Sequence, residues 1–397
     1  MASEWKTCRI KDVLSYVVDN RGKTPPIQDE GFELLEVNAI SATEKFPQYQ
    51  VVRKHVSDEV YNSCFRSGHP QIGDVLVPTV GTLGAVSYMN KNNCCIAQNL
   101  IALRANRDIC DCDYLYYILR NPNTRRRLLN LNIGGVQPSI KVPHLMDLEI
   151  KLPDIETQQK ISSILRSIDD KIENNQKIND NLQQQAATIF RQWFVTNSES
   201  EKWPMVTLDD LTSLVSRGIA PKYDDDSAQI VLNQKCIRDH YIDISLGRRH
   251  KSKSTNEKWL QYGDLLINST GEGTLGRAAQ VWFVPENMTV DSHVTVVRPK
   301  NQLLLFYIGI WGISHEREFE ALHTGSTGQT ELPRERVKAM ELRQPDNDTL
   351  ARFNSIIKPI VSIIIANQQE NTRLASIRDT LLPKLMSGEI NVTGIQI

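Results

Sequence analysis

Leu152–Val195 reads LPDIETQQKISSILRSIDDKIENNQKINDNLQQQAATIFRQWFV. Pro153 closes any strand before it, and the run that follows holds no Gly or Pro and is rich in Gln, Ile, Leu and Lys. Ile161, Ile168, Asn175, Leu182 and Ile189 recur at heptad spacing, and a second row, Leu165, Ile172, Asn179, Ala186 and Trp193, lies four residues on. Two rows offset in this way form the seam of a coiled coil, because about 3.5 residues per turn keeps them facing one partner.

That partner lies further along the chain. Pro345-Asp346 and Thr349 repeat Pro153-Asp154 and Thr157, and two matching rows follow. They are Phe353, Ile360, Asn367, Leu374, Leu381 and Ile357, Ile364, Asn371, Arg378, Leu385. Both Asn interruptions recur in phase. A buried Asn costs stability but fixes register and orientation, so the two stretches are expected to pair. The stripe from Ile161 to Trp193 is roughly 50 Å long as a helix. The polar linker Thr196 to Lys202 reaches at most about 24 Å, too short to bring a following globule back beside the start of the first helix. The pairing is therefore expected to be antiparallel, with Asn175 and Asn179 near Asn371 and Asn367, a globule at each end and pseudo-two-fold symmetry. Pro359 is expected to kink or loosen the start of the second helix.

The segments before each helix also repeat, in the order globule, helix, globule, helix. Gly73-Asp74-Val75-Leu76-Val77 is answered by Gly263-Asp264-Leu265-Leu266-Ile267, and Gly81-Thr82-Leu83-Gly84 by Gly273-Thr274-Leu275-Gly276. Short β-like runs separated by Gly turns, then two helices and a last strand, predict a mixed α/β globule twice over. The turns match while much between them does not, which implies a shared scaffold with diverged surfaces.

Composition narrows the function. The 397 residues carry a net charge of −1, so affinity for a polyanion must come from local patches or from partners. The start, MASEWKTCRI, has no apolar h-region. The longest apolar runs, Leu303 to Trp311 and Ile360 to Ala366, fall well short of the roughly 20 residues that span a bilayer. The expectation is a cytoplasmic protein with no membrane role. Six of the seven cysteines lie in the first half without zinc-ligand spacing, so reduced thiols and no metal are expected. No phosphate-binding loop, nucleophile elbow, HExxH or dinucleotide fingerprint is present. Pro153-Asp154 with Asp169-Asp170-Lys171 loosely resembles a nuclease signature, but it falls on the predicted coil and reads as a solvated helix face. No catalytic residue is expected.

Polar, Gly-rich loops are the remaining candidates. Asn and Gln can bond adenine twice and Arg or Lys guanine, while backbone amides approach phosphate. In the first globule the candidates for DNA contact are Arg21, Lys23, Thr24, Asn38, Thr82, Gln98, Asn99, Gln137 and Lys141. In the second they are Arg217, Lys222, Tyr223, Asn233, Gln234, Lys235, Arg277, Ser292, His293, Ser326 and Gln329. Arg125-Arg126-Arg127 reads as a helix face, whereas Arg248-Arg249-His250-Lys251 could track a nucleic-acid backbone.

Three passages resemble the specificity subunit of Type I restriction–modification enzymes. Leu152-Pro153-Asp154 through Gln158-Gln159-Lys160-Ile161 is similar to the family's central motif, although Thr157 separates Glu156 from Gln158 where the family more often has Glu directly before Gln. Arg378-Asp379-Thr380-Leu381-Leu382-Pro383-Lys384-Leu385-Met386-Ser387-Gly388-Glu389-Ile390 is similar to its C-terminal signature. Ser216 to Tyr223 and Val231 to Ile237 look like openings of its recognition domains. The resemblance implies an α+β chain: a target-recognition domain at 1–152, a central helix at 153–196, a second such domain at 197–345 and a C-terminal helix at 346–397. Each domain would read half of a bipartite DNA target, and the coil would set the spacer. Two methyltransferase (modification) subunits would dock on the coil, and two translocase–nuclease (restriction) subunits would complete the complex. S-adenosylmethionine, ATP and Mg would belong to those partners and none to this chain. The alternatives are a tandem-domain scaffold without DNA specificity and a stand-alone DNA methyltransferase or nuclease.

Overall fold

The computed structural model describes residues 5–135, 137–253, 256–325 and 330–394. The chain forms two compact units, Met1–Asn174 with Glu370–Ile397, and Asn175–Gln369.

In the first unit, β1 (Lys6–Arg9) precedes β2 (Leu14–Val18), β3 (Phe32–Leu35), β4 (His55–Val56), α1 (Asp58–Cys64) and β5 (Val75–Pro78). Next come β6 (Ser87–Tyr88), β7 (Cys94–Ile96), β8 (Leu100–Ala105), α2 (Cys112–Arg120), α3 (Pro122–Asn130), α4 (Val142–Met146) and β9 (Glu149–Leu152). An antiparallel sheet runs β2-β8-β5-β6, a smaller one runs β4-β3-β7, and β1 pairs with β9. The central strands are apolar on both faces because both faces are covered. Val75, Val77, Ile101 and Leu103 face a core shared with α2 and the long helices. The alternating Leu76, Leu100 and Ala102 face Leu35 and Ile96 of the smaller sheet.

From β9 the chain enters α5 (Ile155–Phe194), whose first half belongs to this unit. Asp154 caps it, accepting from the Thr157 amide at 2.8 Å and from its hydroxyl at 2.9 Å. Buried Gln158 ties the helix to the loop before α2 by donating to Ile109 O (3.0 Å) and accepting from the Asp111 amide (3.0 Å). Gln158, just past the departure at Thr157, thus acts as a structural anchor.

The second unit replays the plan. It has β10 (Met205–Thr207), α6 (Leu208–Leu211), β11 (Thr212–Arg217), β12 (Gln229–Leu232), β13 (Ile237–Arg238), β14 (Tyr241–Ile242) and β15 (Arg248–His250). There follow β16 (Leu265–Asn268), β17 (Ala278–Gln280), β18 (Met288–Val290), β19 (Val294–Pro299), α7 (Leu305–Ser314), α8 (Glu316–Ala321), α9 (Arg334–Lys338) and β20 (Glu341–Arg343). The sheets β11-β19-β16-β17 and β15-β12-β18 repeat the first unit's order, with β10 on β20. Each unit also pairs a buried aspartate with an arginine at the same place: Asp74 with Arg104 and Asp264 with Arg298, both at 2.8 Å. Burial pushes the Asp264 carboxyl up from its ordinary value, and Arg298 opposes the shift.

α10 (Asn347–Ser387) is capped by Asp346 and Thr349 as α5 is by Asp154 and Thr157, at 2.8 Å for both bonds. It runs unbroken through Pro359 and Pro383, so the proline expected to disturb its start does not interrupt the helix. The two long helices pair antiparallel inside each unit. In the first, Lys171 meets Glu370 at 3.3 Å and Asp169 meets Arg378 at 2.9 Å. In the second, Asn367 donates to Asn179 Oδ1 at 2.8 Å, Asn179 donates to Ile364 O at 3.3 Å, and Phe190 packs on Phe353.

Along the seam, Ile161, Leu165, Asn175, Asn179, Phe353, Ile357 and Ile364 are buried, while Ile168, Ile172, Leu182, Ile360, Asn367, Asn371 and Leu374 are half-buried. Asn371 donates to Ile172 O at 3.3 Å.

Two expectations need correction. Asp169 does not lie on a solvated face: it is 6% exposed and takes a bond from the Tyr117 hydroxyl at 2.7 Å besides its pair with Arg378. Burial, and then the neighbouring carboxylate, raise the Tyr117 phenol. Second, a window of α10 reaches mean hydropathy 1.4, long and apolar enough by composition to cross a membrane. Scattered polar residues hid this from a count of unbroken runs. Phe353, Ile357, Val361 and Ile364 of that helix are buried in the second unit's core.

Candidate nucleic-acid interface

In the first unit the ends of β3, β5 and β7 meet, and backbone bonds lace their loops together. The Ala97 amide donates to Leu35 O (2.9 Å) and the Thr79 amide to Asn99 O (2.9 Å). Ile140 N reaches Thr79 O (2.8 Å) and Gly81 N reaches Pro138 O (2.9 Å). This gathers the loops carrying Asn38, Thr82, Gln98, Asn99 and Gln137, all exposed. Gln98 Nε2 lies 3.5 Å from Thr24 Oγ1, which joins the Lys23-Thr24 turn to the set. Lys141 is exposed at the start of α4.

Arg21 is different. Its guanidinium is engaged twice by Asp19, at 2.8 and 2.6 Å. The side-chain bond from Arg21 holds the Asp19 carboxyl below its usual range. Arg66, which sequence reading passed over, donates to Arg21 O at 3.0 Å and is exposed.

The second unit closes the same way. Ser269 N donates to His293 O, Leu332 N to Ser269 O and Asp291 N to Leu232 O, at 2.8, 2.8 and 2.9 Å. Asn268 Nδ2 donates to Gln234 O (3.0 Å), and His293 Nδ1 lies 2.7 Å from Thr270 Oγ1. Arg217 crosses this junction, donating to Leu332 O (2.8 Å) and Ser292 O (3.3 Å) and pairing with Glu331 (2.9 Å). Gly218 has to be glycine here, since a Cβ would stand 2.0 Å from Val290 O and 2.3 Å from Asp291 O.

Lys258 is a further residue without a sequence signal. It bonds Ser216 Oγ and Arg217 O, and burial followed by the Arg334 charge lowers its ammonium from the ordinary value.

Other candidates split by environment. Asn233 turns its side chain onto the Lys235 amide at 2.9 Å, leaving Lys235 exposed. Arg277 donates to Gly273 O at 2.9 Å. Lys222 and Tyr223 are exposed on the segment leading away from Arg217. Ser326 and Gln329 lie outside the described residues. Each unit thus presents hydrogen-bonding side chains from four or more loops fixed by main-chain bonds, an arrangement able to hold donors and acceptors against base edges. All seven cysteines are free thiols, and burial pushes Cys94 and Cys95 up to about 12.

Residues 2–184 match the family model for the Type I restriction modification DNA specificity domain. Among curated proteins, the chain is 27% identical over 375 residues to the Type I restriction enzyme MjaIX specificity subunit of Methanocaldococcus jannaschii, covering 85% of this chain and 82% of that one. It is 22% identical over 382 residues to the Type I restriction enzyme HindI specificity subunit of Haemophilus influenzae, covering 75% and 82%. The S subunit of a Type-I restriction-modification system from M. genitalium shares the fold, with a TM-score of 0.56, 16% identity and 96% of each chain covered. Residues 2–184 thus carry a Type I restriction modification DNA specificity domain, and along most of its length the chain is similar to Type I restriction enzyme specificity subunits.

Proposed function

We propose that this chain reads a bipartite, asymmetric DNA target, one unit per half-site, while its paired long helices set the spacer and dock the modification subunits. As a specificity subunit it is non-catalytic and works with DNA and with modification and restriction subunits. We take the complex to hold two of each partner, with S-adenosylmethionine on the modification subunits and ATP and Mg on the restriction subunits.

The observation that carries the reading is the pair of loop junctions. Thr79, Asn99 and Ile140 in one unit, and Ser269, His293 and Leu332 in the other, make the same two bonds at strand ends. The side chains around those bonds differ: Asn38, Thr82, Gln98 and Asn99 in the first unit, Arg217, Gln234 and His293 in the second. One scaffold with two different reading surfaces suits two different half-sequences. The test is exchange of residues 1–150 for the first domain of another family member, followed by methylation mapping. One half-site should change and the other persist. A change in both, or in neither, contradicts one unit per half.

A further inference from the structure

We propose that Arg248, stacked on Tyr223, is a DNA-backbone phosphate contact that the first unit lacks; this rests on the reading that the second unit grips DNA. The Arg248 Cζ lies 3.5 Å from the centre of the Tyr223 ring, and Tyr223 is 44% exposed. The segment holding Tyr223 is fixed along β15: Tyr223 bridges His250, and the Lys251 amide donates to Lys222 O at 2.8 Å. Stacking orders the guanidinium before any ligand arrives, so less side-chain freedom is lost on binding, and its N–H edge stays available.

The first unit shows what this edge looks like when it is neutralised. β4-β3-β7 there corresponds to β15-β12-β18 here, with Leu35–Ile96 matching Leu232–Val290 at the strand ends. In that register Lys54 takes the place of Arg248, because it lies opposite Leu34 as Arg248 lies opposite Val231. Lys54 is bonded by Glu36 at 2.8 Å. The residue matching Glu36 is Asn233, and that matching Glu33 is Ile230. Both carboxylates are gone from the second unit. Among the described residues Arg248 has no ion-pair partner, while Asp224 of the adjoining segment sits 3.9 Å from Lys251. A pre-ordered, uncompensated cation flanked by exposed Lys222 and Arg249 fits phosphate oxygens, since the cluster supplies charge without a base-specific frame.

The test uses the chain assembled with its modification subunits and two duplexes, one with the mapped target and one scrambled, across a salt series. Arg248→Gln should weaken both roughly tenfold and reduce the salt slope by about 1, leaving the methylated sequence unchanged. Arg248→Lys should keep the slope, which also controls for folding. Wild-type affinity and slope in Arg248→Gln would overturn the proposal, and so would lost discrimination at a single base pair, which would make Arg248 a base reader. Failure of the wild-type complex to distinguish the duplexes would instead sink the reading beneath it.

Discussion

Asp346 shows how single side chains hold this fold. Bonds from the Thr349 amide and hydroxyl keep its carboxyl below the ordinary value of about 3.9. A lowered pKa in the folded state means the stabilisation is complete above that ordinary value and is lost as pH falls toward the depressed one. Asp346→Ala should cost about 1 kcal/mol in a denaturant melt at neutral pH, and the deficit should shrink on acidification through that window. An undiminished deficit at low pH would show that the cap bond is not its cause. Gly218→Ala is expected to do more, since its Cβ meets two carbonyl oxygens; it should lower the melting temperature and disturb reading of the second unit's half-site, with the other half unaffected. Residue chemistry was partly legible beforehand. A basic residue in a polar loop is visible in sequence, but whether it is free is not: Arg21 is claimed by Asp19 two positions earlier, whereas Arg248 has no ion-pair partner among the described residues, and Asn233 stands where the first unit has Glu36.

At the scale of the element, the long helices were legible because heptad phase and caps survive in the letters. What they bury was less so. Asp169 and Arg378 form a buried pair in the first unit, and the repeat places Val361 and Ala186 at the matching positions of the second, both also buried. The heptad rows place Arg378 on the seam but leave Asp169 on a solvated face, and only the partner helix reveals that the two pair. The same site is thus filled once by an ion pair and once by apolar packing. Removing one partner of a buried pair strands a charge and costs about 3–5 kcal/mol, while replacing both with apolar groups is often close to neutral. Arg378→Ala should therefore destabilise far more than Asp169→Val with Arg378→Ala, in melts of the full chain. Equal losses from the single and double variants would mean that lost packing, not the stranded carboxylate, sets the cost. Pro359 does not interrupt the helix for a related reason: the apolar seam on both sides of it is anchored by Phe353, Ile357 and Ile364, and packing outweighs one missing backbone bond.

For the whole molecule, duplication was the informative signal. It announced two units of one plan, and the matching of Asp74–Arg104 with Asp264–Arg298 and of the loop junctions bears out that likeness at atomic distances. Which bases each junction reads was not legible, because loop conformations are set by main-chain bonds between segments far apart in sequence. The central claim is that the helices measure the spacer while the units read the halves. Its most direct test adds seven residues to each long helix near Asn175 and Asn371, preserving the apolar phase, and maps genomic methylation by the assembled complex. Seven residues lengthen a helix by about 10.5 Å, or roughly 3 base pairs of duplex. The account predicts both half-sequences unchanged and separated by about 3 more base pairs; altered half-sequences with the original spacing would contradict it.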